Sequence, residues 1–395
     1  MTLPRNIFVV AATRTPIGAF LGSLSTVSAP RLGATAIKTA LERGKVDPGA
    51  VDEVFMGNVL SAGVGQAPAR QAMIHAGLPD RVPATTVGKV CGSGLQAVVL
   101  GTRAIALGDA EIVVAGGMES MSNVPYYLDS ARTGARMGHQ KMIDGMIHDG
   151  LWDPYGDFHM GTAGEKCARE FKFTREEQDA FATESFRRAL SAQKDGLFKS
   201  EIAGVSVPQK KGDAVLVTDD EGPPNGKPEK FASLRPAFAK DGTITAANAS
   251  SINDGASALV LASEEAVKKH GLTPLARIVG YGGAAQAPEW FTTAPAKAIE
   301  NTTKKLGLST KDIDLWEINE AFAVVTMACN KLCDLDPATV NVRGGAVSLG
   351  HPIGASGARI LTTLLFAMKA HGKKRGLATL CIGGGEAVAV VVERA

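Results

Sequence analysis

The sequence is short of aromatic residues. Phe, Trp and Tyr make up 5% of 395 residues, too few for the ring platforms on which single-stranded nucleic acids stack. Net charge is also small, +2 at pH 7 with His neutral. That argues against a polyanion or an anionic membrane surface as partner. No uncharged apolar run reaches the ~18 residues that suggest a membrane span. The opening MTLPRNIFVV does not follow the basic-then-apolar order of a secretory leader. The expected location is a reducing cytoplasm. Cysteine is scarce: Cys91, Cys167, Cys329, Cys333 and Cys381. An odd number in a long chain does not read as a disulfide framework. Cys329 and Cys333 have helical i, i+4 spacing, but no neighbouring His or Cys pair completes a zinc pattern. They read as core thiols, and no metal is expected.

What the chain does have is glycine, 45 residues, within an ordinary globular balance of 45% hydrophobic and 21% charged residues. Its length suggests two or three domains with ample core. It also repeats itself. IFVVAATRTP, APRLGATAIKTALERG and VDEVFMGN read as strand, helix, strand. RIVGYGGAA, APAKAIENTTKKLG and IDLWEINEAF repeat that order. TTVGKVCGSGLQAVVLGTRAIALG resembles TVNVRGGAVSLGHPIGASGARILTTLLFAM, and DAEIVVAGGMES resembles GLATLCIGGGEA. In this alignment Cys91 faces Gly354 and Cys381 faces Val114. Two copies of one α/β unit are implied, with mostly parallel sheets covered by helices.

Residues 121–249 interrupt the first copy and are richer in Gly, Pro, Asp and charge. TREEQDAFATESFRRALSAQKDG reads as a helix, with Thr174 as N-cap and Glu177 completing a capping box. The rest reads as loop, and long loops in a compact protein usually carry binding function. The expected organisation is a first half of residues 1–120 plus 250–274, a loop domain of 121–249, and a second half of 275–395.

Three segments concentrate the chemistry. Cys91 opens C-G-S-G before a helix, whose dipole is expected to lower the thiol pKa. Gly92 and Gly94 are read as allowing close substrate approach. His351 sits in G-H-P before another helix. It is either a capping residue or, beside an activated Cys, its base. Cys381 ends an apolar strand and enters I-G-G-G, whose N–H groups could stabilise an oxyanion. It could equally be a small core residue. Asn319, at the end of the strand in W-E-I-N-E, is either a cap or an orienting amide.

Taken together, RTPIGAF, VCGSGLQA, GGMESMS, FHMG, LRPAF, TAANASSINDGA, WEINEAFA, GGAVSLGHPIGASGAR and CIGGG resemble the thiolase family, in its acetoacetyl-CoA thiolase branch, along essentially the whole chain. The resemblance implies two similar α/β halves in a five-layer αβαβα arrangement with an inserted loop domain. It implies an acetyl-CoA C-acetyltransferase that condenses two acetyl-CoA by a ping-pong Claisen reaction, and runs the reverse thiolysis. By motif position, Cys91 would be the acetylated nucleophile and His351 its base. Cys381 would take the α-proton of the second acetyl-CoA. Asn319 would hold a water in one oxyanion hole, with His351 as the other donor there, and the N–H groups of Cys91 and Gly383 would form the second. Lys230, Leu234, Phe238, Ala246, Ser250 and His159 would contact coenzyme A. Met160 and Phe291 would shorten the acyl pocket. No tightly bound cofactor is implied. A homotetramer, a dimer of dimers, is implied through residues 121–145.

The chain departs from the family pattern at Gly88 and Arg343, where Asn is common, and at Ala387, a frequent Gly. Phe186 stands where potassium-binding relatives carry Tyr, so potassium is not expected. Three other readings stand beside this one: a broad-chain-length degradative 3-ketoacyl-CoA thiolase, a decarboxylating ketoacyl synthase, and a non-catalytic acyl-CoA binder. The second cysteine argues against the ketoacyl synthase.

Overall fold

The two sequence copies fold into matching units. In the computed structural model, which describes residues 3–395, the first runs β1 (Ile7–Arg14), α1 (Ala29–Gly44), β2 (Glu53–Gly57), α2 (Pro68–His75), β3 (Ala84–Val87), α3 (Ser93–Leu107) and β4 (Ile112–Ser120). The inserted segment holds α4 (Met160–Phe171) and α5 (Arg175–Lys194), and β5 (Asn253–Ser263) closes the unit. The second runs β6 (Ala276–Ala285), α6 (Ala294–Leu306), β7 (Leu315–Ile318), α7 (Ala323–Cys333), α8 (Ser356–Ala370), β8 (Arg375–Ile382) and β9 (Glu386–Arg394).

The strands form one sheet in the order β7-β8-β9-β6-β1-β5-β4-β2-β3. Its midpoint is the short β1–β6 ladder, where Phe8 pairs with Arg277 and Val9 with Ala276. Reading outward from there, both halves place the first strand, then the last, then the one before the last, then the second, and the first half adds β3 at its edge. Helices α1 and α2 cover one half on its outer side, and α6 and α7 cover the other. Helices α3 and α8 pack against each other and touch strands of both halves. This gives five layers. The strands show it in their alternation. Val113 and Ala115 of β4 belong to the central core with Leu95, Val98, Leu361 and Leu364. Ile112 and Val114 face the outer core of Leu32, Ile37, Leu41 and Met73. The segment Val90–Leu107 is long and apolar enough to cross a membrane, yet 61% of it is buried here.

The sheet corrects two expectations. It is mixed, not mostly parallel: β2 runs parallel to β3 and β4, and β7 to β8, while the other ladders are antiparallel. The last strand of each half slots in reversed beside the strand that precedes it in the chain, which helix-and-strand order alone does not reveal. The repeat register also shifts. Asp52 Oδ2 accepts the N–H groups of Glu111 and Ile112 at 2.8 and 2.9 Å. Asp314 Oδ2 accepts those of Lys374 and Arg375 at 3.0 and 2.8 Å. Anchored on this shared device, Cys381 corresponds to Met118 and not to Val114.

In the second half, β8 turns into β9 through Gly383–Gly385. At the matching place in the first half the turn is replaced by the whole segment between Ser120 and Asn253. That segment is not merely loop around one helix. Helix α5 starts as read, with Thr174 and Glu177 making the reciprocal capping bonds. Helix α4 was not anticipated, because two glycines weaken its propensity. Burial of Ala163, Cys167 and Ala168 against Val324 and Ala328 supports it instead.

Candidate active site

Cys91 lies in the turn between β3 and α3. Val90, just before it, has φ +44°, a costly conformation for a β-branched residue. The turn is tied on both sides. Ser93 Oγ accepts the Lys89 N–H at 2.8 Å and donates to the Val90 carbonyl at 2.7 Å. The flanking glycines have a different role from the one expected. A side chain at Gly92 would overlap Ile382, and one at Gly94 would lie 2.9 Å from the Ala358 nitrogen. They admit neighbouring protein, setting the turn of Cys91 against β8 and α8.

His351 is 6% exposed and enters from the turn before α8. Its N–H donates to Asn253 Oδ1 at 3.0 Å. Its Nδ1 lies 2.6 Å from Ser356 Oγ. Asn319, just past β7, holds its Nδ2 3.4–3.5 Å from the two ring nitrogens. Arg359 Nη2 donates to Asn319 Oδ1 at 3.4 Å, and Arg359 Nη1 to Glu317 Oε2 at 3.5 Å. Cys381 is 1% exposed at the end of β8.

One cavity of about 220 Å³ collects these groups. Cys91, His351, Cys381 and Gly383 line it from the two halves; Leu151, His159, Met160, Phe238 and Ser250 line it from the inserted segment, and Phe291 from the second half. His159 caps α4 by accepting the Gly161 N–H at 3.1 Å and stacks on Phe238 at 4.8 Å. Phe291 and Phe238 each meet Phe322 edge-on, at 6.3 and 6.1 Å. Ser250 Oγ donates to the Ala321 carbonyl at 2.8 Å. Lys230, Leu234 and Ala246 do not line the cavity. Lys230 and Ala246 are exposed on the inserted segment, and Leu234 packs beside Phe186 and Phe231. Asn319 also stands back from the cavity wall, behind His351.

Electrostatics overturn one expectation. The Cys91 thiol is pushed up to about 11, mainly by burial; the N–H groups of Gly383 and Cys91 oppose that shift without cancelling it. Burial and then Arg359 push His351 down to about 3. Burial, then Cys91, raises Cys381 well above an ordinary thiol. The resting site therefore holds two neutral thiols and a neutral imidazole. The helix dipole does not ionise Cys91, because desolvation exceeds it.

Sequence reasoning missed Ser356 and Arg359. Both sit on the face of α8 toward His351 and Asn319, five and eight residues after the histidine, but nothing in their local pattern marks them. It also missed what Arg343 does in place of the usual Asn. Arg343 is buried and donates to the carbonyls of Leu197 and Phe366, both at 3.1 Å, and lies 3.4 Å from Glu201. It ties the inserted segment to α8. A side chain at Gly88 would meet nothing within 4 Å, so the change there leaves the turn undisturbed. Among the described residues no group of three or more His, Cys, Asp or Glu could hold a metal ion.

Residues 7–265 match the family described as Thiolase, N-terminal domain, and residues 272–394 match Thiolase, C-terminal domain. The chain belongs to the thiolase family. Acetyl-CoA acetyltransferase 1 of Arabidopsis thaliana is 55% identical to it, over 99% of this chain and 94% of that one. Acetyl-CoA acetyltransferase of Pseudomonas aeruginosa is 52% identical over 99% and 100%. Among solved structures, the Acat5 thiolase from Ascaris suum in complex with coenzyme A superposes with a TM-score of 0.94, at 45% identity over 99% and 100% of the chains. The Bacillus anthracis acetyl-CoA acetyltransferase superposes with 0.97, at 42% identity over all of both chains. The five layers expected of a thiolase are those described above.

Proposed function

We propose that this thiolase is an acetyl-CoA C-acetyltransferase, condensing two acetyl-CoA to acetoacetyl-CoA and CoA and catalysing the reverse thiolysis. The observation that carries the reading is the convergence of Cys91, His351, Cys381 and Gly383 on one small cavity. The names and high identity of the relatives support it. In the first half-reaction the Cys91 sulfur attacks the acetyl carbon while its proton passes to His351. That proton then leaves with the CoA sulfur, and the acetyl group stays on Cys91. In the second, Cys381 gives its own proton to the freed His351 and, as thiolate, takes the α-proton of another acetyl-CoA. The new carbanion attacks the acetyl carbon, and the Cys91 sulfur departs and takes the proton back from His351. Burial makes the Cys381 thiolate a stronger base, which suits a carbon acid. The N–H groups of Gly383 and Cys91 favour anionic sulfur at Cys91, which supports them as donors to oxyanion charge in the acetyl group bonded there. One such donor is typically worth about 3 kcal/mol.

Phe291 and Met160 limit the cavity to a short acyl chain. The coenzyme A moiety runs outward along Phe238 and Ser250 toward Lys230, Leu234 and Ala246. CoA thioesters are substrates, and no tightly bound cofactor is proposed. The exposed Tyr126, Leu128, Met137 and Met142 favour a homotetramer built through residues 121–145. The need for two reduced thiols favours a cytoplasmic setting. The test is Cys381→Ala. It should still exchange acetyl groups between CoA pools yet form no acetoacetyl-CoA; a variant that condenses normally would overturn the assignment.

A further inference from the structure

His351 can act as a base only if the nitrogen that meets the cavity carries a lone pair. One contact behind the ring decides which nitrogen that is. Nδ1 lies 2.6 Å from Ser356 Oγ. The Ser356 hydroxyl has a single proton, and the Pro352 carbonyl accepts it at 2.9 Å. That carbonyl also receives the N–H groups of Ala355 and Ser356, both at 2.9 Å, and a helical serine commonly shares the carbonyl four residues back in this way. With its proton committed there, Ser356 meets Nδ1 as an acceptor. Asn319 does not discriminate: Arg359 donates to its Oδ1, which turns the amide nitrogen to the ring, and that nitrogen lies 3.4 Å from Nε2 and 3.5 Å from Nδ1.

We propose that Ser356 is a positioning residue that fixes the tautomer of His351, taking the Nδ1 proton as acceptor and leaving the Nε2 lone pair for the cavity. When Cys91 attacks, its S–H bond breaks and an Nε2–H bond forms. The imidazolium then holds two protons, one on Ser356 and one facing the departing sulfur. In the opposite tautomer Ser356 would have to release Pro352. The kinetic part of the proposal rests on the acetyltransferase reading; the tautomer does not.

Neutron diffraction of the wild-type protein at neutral pH reads the tautomer directly. Hydrogen on Nδ1 with none on Nε2 is expected, and the reverse would overturn the proposal. In Ser356→Ala, kcat for thiolysis should fall about tenfold, while KM for the acyl substrate stays within about twofold. Ser356→Thr, which keeps a hydroxyl, should recover most of kcat. An unchanged kcat in Ser356→Ala would refute the role. A protein lacking acetyl transfer but showing Nδ1–H would sink the function and leave the tautomer standing.

Discussion

Gly357 lies directly against Leu95, so that a methyl group at 357 would overlap the Leu95 backbone nitrogen. This contact is where α8, the helix that follows His351, locks onto α3, the helix that follows Cys91. The two halves thus fix their reactive groups relative to each other by backbone proximity, which only glycine permits at that point. Gly357→Ala should push the helices apart. A loss of about 3 kcal/mol is expected from overpacking, read by denaturant titration, with a fall in kcat larger than any change in KM.

Arg343→Asn installs the residue common in the family. It removes the bonds to Leu197 and Phe366 and the approach to Glu201, which keeps its closer partner Arg14 at 2.6 Å. The expected loss is about 2 kcal/mol, because buried acceptors are left unmatched. A thermal midpoint equal to wild type would refute the tie between the inserted segment and α8.

Phe291→Ala opens the acyl end of the cavity. The ratio of thiolysis rates on six-carbon and four-carbon 3-ketoacyl-CoA should rise about tenfold, the worth of one or two methylenes in an apolar pocket. Comparable activity on both chain lengths in the wild type would instead favour the broad-chain degradative reading.

His351 gives a pH prediction with a definite sign. Its folded pKa is depressed to about 3 from an unfolded value near 6.5. Between those values the unfolded chain binds more protons, so this group makes stability fall as pH falls below about 6.5. His351→Asn removes the effect. The variant should lose less stability than wild type between pH 6.5 and 5.5, by about 1 kcal/mol. Identical acid profiles would show that the histidine is not buried as a neutral ring.

Much of this was legible in the sequence. The duplicated order of elements, the capping box at Thr174 and the segments carrying Cys91, His351 and Cys381 are local patterns, and local patterns survive in one dimension. Ser356 and Arg359 were not legible, because their roles depend on which face of α8 meets Asn319. Helix α4 was hidden by its glycines. The charge state of Cys91 was misread for a physical reason: a helix N-terminus can be seen in sequence, but the burial that outweighs it cannot. The register of Cys381 against Met118 needed the paired hydrogen bonds of Asp52 and Asp314.

The segment between Ser120 and Asn253 leaves and rejoins the frame at two adjacent strands, where the other half needs only a three-glycine turn. Its growth therefore disturbed no ladder. The sheet and its two central helices hold Cys91, His351 and Cys381, while one excursion of the chain supplies about half of the wall around them. Met160 travels with that excursion and Phe291 does not, so a graft of residues 121–252 between relatives would carry only part of the acyl selectivity.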